Sequence, residues 1–103
     1  MLYETGSFDA TLAAAAGADP VLVSELRLAF AESLNGHIDL LKRARCDGNW
    51  NVAAMRLRGL AASFNAVELI MLATEACEAV PGEPSIVRKI EQYHADFVIV
   101  AGG

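Results

Sequence analysis

Apolar positions recur every three or four residues through most of the chain, which is the period of amphipathic helices. Four strong helical stretches follow from it, with a weaker one before them. Ser7 or Asp9 caps a short helix that runs through Ala16 and is ended by Gly17. Asp19-Pro20 then gives an N-cap followed by proline at the first helical position, a good start signal. The second helix runs to about Arg45, where Asp47-Gly48-Asn49 breaks it. A third starts near Trp50 and ends about Asn65, and a fourth covers residues 67–80. Pro81-Gly82-Glu83-Pro84 is a turn, and the last helix starts near Ser85 and reaches about Val98. The closest approach to a strand is the apolar tail 97–101, which has no partner strand in view. Short connections between long helices make neighbours antiparallel. The expected fold class is therefore all-α: an antiparallel up-down four-helix bundle, with the short first helix packed across one end. Neither an internal repeat nor a low-complexity linker divides the chain, so residues 1–103 read as a single domain.

Laying each helix on a wheel at 100° per residue assigns its faces. In the third helix Trp50, Ala53, Ala54, Leu57, Leu60, Ala61 and Phe64 fall on one side, the expected buried face. Met55 falls almost opposite Leu57 and Phe64, flanked by Asn51, Gly59 and Ala62, with Arg58 at the edge. Met55 is thus expected to be exposed in a patch of small residues, where a solvated face normally carries Lys, Glu and Gln. Gly59 inside a helix costs about 1 kcal/mol relative to Ala, and the small residues around it suit the close approach of a partner. In the second helix Leu22, Leu26, Ala29, Phe30, Leu34 and Leu41 make the inward stripe, and His37 lies inside that arc. In the last helix Ile86, Ile90, Tyr93 and Phe97 face in, with His94 on the flank. Both histidines are expected to be buried or half-buried rings with one hydrogen-bond partner.

Composition narrows the function. Apolar residues are 54% of the chain and charged residues 20%, a mix that suits closely packed helices and excludes disorder. The formal net charge of -5 makes nucleic acid and anionic membrane surfaces poor partners. Cys46 and Cys77 belong to no Cys-x-x-Cys pair and no zinc-ligand spacing, so they read as packed, reduced thiols. The first basic residue is Arg27, so the N-terminal stretch lacks the charged region of a signal peptide. The longest apolar stretch, 12–18, is far short of the ~20 residues of a membrane span. A cytoplasmic location is expected. No phosphate-binding glycine loop, nucleophile–base pair or metal cluster is visible, so neither enzyme activity nor a cofactor is expected. Glu75 and Glu78, three apart on one helix, read as a solvated acidic face.

The stretch Met55-Arg56-Leu57-Arg58-Gly59-Leu60-Ala61-Ala62-Ser63-Phe64-Asn65-Ala66 resembles the signature of histidine-phosphotransfer (HPt) domains of two-component phosphorelays. That signature reads roughly His-x-Leu-Lys-Gly-x-Ala, followed after a few residues by a Gly-Ala pair. Leu57, Gly59, Ala61 and Ala66 agree with it. Arg58 stands in for the lysine, keeping the charge but not the shape. Asn65 replaces a glycine, and Asn tolerates the left-handed conformation expected there. Phe30 resembles the family's phenylalanine in the second helix, and the resemblance extends from about Asp9 to Phe97.

One departure dominates. The family's phosphoacceptor histidine falls at Met55, and a thioether cannot accept a phosphoryl group from an aspartyl phosphate. The resemblance therefore implies a signalling module that docks on a response-regulator receiver or a histidine kinase without carrying phosphate. The implied docking residues are Asn51, Met55, Arg58, Gly59 and Ala62. Two other readings compete: a structural or oligomeric bundle that pairs as a homodimer through the same face, and a phosphotransfer protein that uses His37 or His94.

Overall fold

The computed structural model describes residues 6–102. They form five helices and no strand: α1 Ser7–Ala16, α2 Pro20–Arg43, α3 Asp47–Ser63, α4 Val67–Glu78 and α5 Pro84–Gly102. The apolar tail at 97–101 is the end of α5. α2 holds 24 residues; at ~1.5 Å per residue it is about 36 Å long and runs along most of the 42 Å long axis. α2 packs on α3 and α5, and α4 packs on the same two helices. The core lies between these four. None of the described helices is long and apolar enough to cross a membrane.

Local chemistry accounts for most of the boundaries. Gly17 ends α1 in the left-handed conformation at φ 63°, its N–H donating to the Ala13 carbonyl. Asp19 accepts from the Val21 N–H at 2.9 Å, and Pro20 opens α2 behind it. At the other end of the chain, Glu83 accepts from the Ser85 and Ile86 N–H groups at 3.0 and 3.1 Å, capping α5 from the residue before Pro84. The bond from Ile86, and then those from Ser85, hold the Glu83 carboxyl below its ordinary pKa.

Several expectations are corrected. Neither Ser7 nor Asp9 caps α1; Gly6 occupies that position without a side-chain bond. Ser7 instead donates to the Asn65 carbonyl, and Asp9 pairs with Arg27. Asp47-Gly48-Asn49 does not precede α3 but forms its first turn, where Asp47 faces the positive end of the helix dipole. α2 stops at Arg43, two residues early, and Ala44 turns extended and buried. The buried stripe of α2 runs through Phe30, Ala31, Leu34, Ile38 and Leu41. Leu22 and Ala29 lie roughly 80–100° from Phe30 on the wheel and are exposed. Cys46 is exposed rather than packed, at the N-cap position of α3; Cys77 is half-buried, and both are free thiols.

Side chains tie the ends of the molecule together. Trp50, 1% exposed, donates its indole N–H to the Ala76 carbonyl at 2.8 Å, joining the start of α3 to the end of α4. Phe8 of α1 is fully buried and meets the rings of Phe30, Phe64 and Phe97, with centroids 5.1, 6.3 and 5.6 Å away. One short helix thereby makes aromatic contact with α2, with α5 and with the residue that ends α3.

Candidate functional site: the outward face of α3

α3 buries Trp50, Ala53, Ala54, Leu57 and Ala61. That choice of face fixes what is presented outside. Met55 is 65% exposed, and Asn51, Arg58, Gly59 and Ala62 are all exposed around it. The structure thus brings the five residues singled out in the sequence onto one surface. It adds two that lie outside that set. Val52, one turn before Met55, is 50% exposed, and Arg56 is exposed on the edge opposite Arg58. The wheel is a signal that could have found both: Val52 lies ~60° and Arg56 ~100° from Met55, on the side away from Arg58.

Electrostatics give this face its own character. Arg27, Lys42, Arg43 and Lys89 each pair with a carboxylate. Among the described residues, Arg56 and Arg58 form no ion pair, and neither do Arg45 and Arg88 elsewhere on the surface. Two free guanidiniums therefore border a centre made of one thioether, one valine and small side chains. Chemically, such a face can offer forked donors to anions and adaptable apolar contact. It offers no nucleophile.

The backbone of α3 is equally open here. A Cβ built on Gly59 would meet nothing within 4 Å, and Gly59 does not adopt a positive φ. Nothing inside the chain requires a glycine at this position. The end of the helix, by contrast, is held firmly. Asn65 takes φ 54°, the left-handed conformation expected from its place in the sequence. Its carbonyl accepts from the Ser7 hydroxyl at 3.1 Å, and its amide donates to the Thr11 hydroxyl at 2.7 Å. α1 thereby clamps the turn that terminates the presented face.

The histidines lie elsewhere. His37 on α2 and His94 on α5 are both half-buried. The Nδ1 of His37 is buried without a hydrogen-bond partner, a correction to the single partner expected for it. Burial, and then the positive charge of Arg56, keep the His37 pKa below its ordinary value. His94 lines the groove between α2 and α5 beside Asn35. Glu75 is tied to Lys89 at 3.1 Å. Among the described residues no group of three His, Cys, Asp or Glu side chains could hold a metal ion.

Comparison with family models, with curated proteins and with solved structures gives no match.

Proposed function

We propose that this chain is an HPt-like module of a two-component phosphorelay that docks on a response-regulator receiver or a histidine kinase and carries no phosphate itself. The observation that carries this reading is the exposure of Met55 at the centre of the α3 face. This is the position at which an HPt-like chain would offer its histidine. Arg58, one turn along, keeps the cation that such a site uses, while the thioether removes the acceptor. The proposed docking residues are Asn51, Met55, Arg58, Gly59 and Ala62, acting in the cytoplasm and without catalysis of their own. Docking can survive loss of the acceptor, because shape and apolar contact carry most of an interface.

An antiparallel up-down four-helix bundle is the architecture proposed to present this face. Three pairs of contacts support it. Between α2 and α5, Phe30 meets Phe97 while Lys42 meets Glu91, the order of contacts that antiparallel neighbours make. Between α2 and α3, Phe30 meets Phe64 while Ala44 and Asn49 line one cleft. Between α3 and α4, Trp50 reaches Ala76 across a three-residue turn at 64–66.

Self-association through the same face is the weaker alternative. A two-fold dimer would bring the Arg56 and Arg58 side chains of both copies close together, with like charges facing one another. Transfer through His37 or His94 is weaker still, since neither shares a face with Arg58. Titration of the chain against purified receivers tests the proposal. Binding that is lost in Met55→Glu and Gly59→Arg supports it; no binding, or binding indifferent to both changes, overturns it.

A further inference from the structure

Beside the Met55 face, residues of α2 and α3 and the turn between them line an open cleft of about 290 Å³. Ala44 and Ala53 form its floor, Leu40 and Val52 its walls, and Arg43 and Arg56 its rim. Asn49 adds an amide at one end. The two walls are apolar and open to solvent, Leu40 at 39% and Val52 at 50% exposure. The rim is cationic, and no carboxylate lines the cleft. In a chain with 13 acidic and 8 basic residues, this is a local inversion of charge.

One guanidinium is free and the other is held only at an exposed pair. Arg56 forms no ion pair among the described residues. Arg43 contacts Asp39 at 3.0 Å, one helical turn away, but both side chains are more than 60% exposed. Pairs of that kind are worth little and exchange readily for a better-placed carboxylate.

We propose that this cleft binds an acidic peptide segment of a partner protein, with an aliphatic side chain between Leu40 and Val52 and carboxylates on Arg43 and Arg56. The apolar walls alone are too small to hold a partner, and the two arginines alone would not choose between anions. Together they select a segment in which an aliphatic residue is flanked by Asp or Glu. Nucleic acid is disfavoured because a rim of only two cations neutralises few phosphates, while the Leu40 and Val52 walls ask for an aliphatic side chain that a phosphate backbone lacks. Nothing in this cleft depends on the receiver reading of the Met55 face. Leu40 is on α2, outside the residues proposed to dock a receiver.

The test uses the whole 103-residue chain and a fluorescein-labelled peptide of sequence Glu-Glu-Leu-Leu-Glu-Glu. A matched peptide with Lys in place of Glu and a short oligothymidylate serve as controls. Fluorescence anisotropy is expected to show saturable binding of the acidic peptide alone, weakening as salt is raised. Amide shifts in a ¹⁵N spectrum are expected to concentrate around Leu40, Asn49, Val52 and Arg56. Leu40→Glu and Arg56→Glu are each expected to weaken binding by about tenfold or more. Val52→Glu, at a half-exposed position, gives the same readout should Leu40→Glu fold poorly. Receiver docking, where present, is retained in Leu40→Glu. The proposal is overturned by absence of binding at millimolar peptide, by equal binding of the lysine peptide or the oligonucleotide, or by shifts centred on Arg88 and Lys89.

Discussion

At the scale of single residues, Met55 decides what the α3 face can do. Its Sγ lone pairs cannot take a phosphoryl group in the way an imidazole nitrogen does, yet the flanking Arg58 and Gly59 remain open to solvent. On the proposed HPt-like reading, a histidine placed at position 55 separates chemistry from docking. Met55→His is expected to gain acid-labile label on incubation with a phosphorylated receiver, while the natural chain gains none; an unlabelled variant would mean that the docking geometry is absent. His37 makes a second residue-scale prediction. Its folded pKa lies below the ordinary 6.5, held down by burial and then by Arg56. The unfolded chain therefore takes up a proton near that value which the folded chain resists. Stability is full above pH 6.5 and declines as pH falls through it toward the folded pKa. Urea denaturation is expected to show this decline in the natural chain and a shallower one in His37→Gln; equal slopes would contradict it. The half-buried place of His37 was legible in the sequence, but its unpartnered Nδ1 was not. A wheel places His37 near the core, but whether its nitrogens find partners depends on the particular side chains of the neighbouring helix.

At the scale of elements, the periodicity of apolar residues located every helix, while polar residues at the ends misled in a consistent way. Asp, Gly and Asn favour turns and helix first turns for overlapping local reasons, because their side chains or lack of one suit both. Asp47-Gly48-Asn49 therefore reads as a break although it is the first turn of α3. Glu83 was hidden in a proline-flanked turn, yet its carboxylate reaches the free N–H groups beyond Pro84 and starts α5. The exposed face of α3, by contrast, was legible in most of its residues, because a core of Trp50, Leu57 and Ala61 leaves only one side outward; Val52 and Arg56 at its edge were missed. Two glycines test whether that face is kept open for a partner. Gly36 in α2 and Gly59 in α3 both sit in helix interiors, where an added Cβ would meet nothing within 4 Å. Replacing either with Ala is expected to raise stability by about 0.5–1 kcal/mol, read as a higher urea midpoint. Only Gly59→Ala is expected to weaken receiver docking as well. A loss of docking in Gly36→Ala would point to a different surface.

At the scale of the whole molecule, rings rather than charges hold the helices together. The ion pairs Lys42–Glu91, Arg43–Asp39 and Lys89–Glu75 are all at least two-fifths exposed on both partners. Pairs in such positions contribute roughly 0–1 kcal/mol each. Phe30 instead is fully buried and faces Phe8, Phe64 and Phe97 at centroid distances of 5.1, 4.9 and 5.1 Å. Phe30→Ala is expected to cost about 3–5 kcal/mol, a large share of the ~5–15 kcal/mol typical of a domain. Lys89→Met is expected to change stability by less than about 1 kcal/mol. Equilibrium unfolding in urea measures both, and a larger loss in Lys89→Met than in Phe30→Ala would reverse this ranking.

The way α1 is attached carries a consequence for motion. This helix of 10 residues is held by the buried side chains of Phe8, Leu12 and Ala16, by the Asp9–Arg27 pair and by its bonds to Asn65. Each of these is a side-chain contact, and all can release together if the helix swings about Gly17-Ala18. Such a swing is a local opening, smaller than unfolding of the core. Amide protons of α1 should then exchange with deuterated water sooner than those of α3 around Leu57. Every opening would also bring Phe30, Phe64 and Phe97 into contact with water, so the lifetime of a purified sample in storage would follow the closing of its smallest helix.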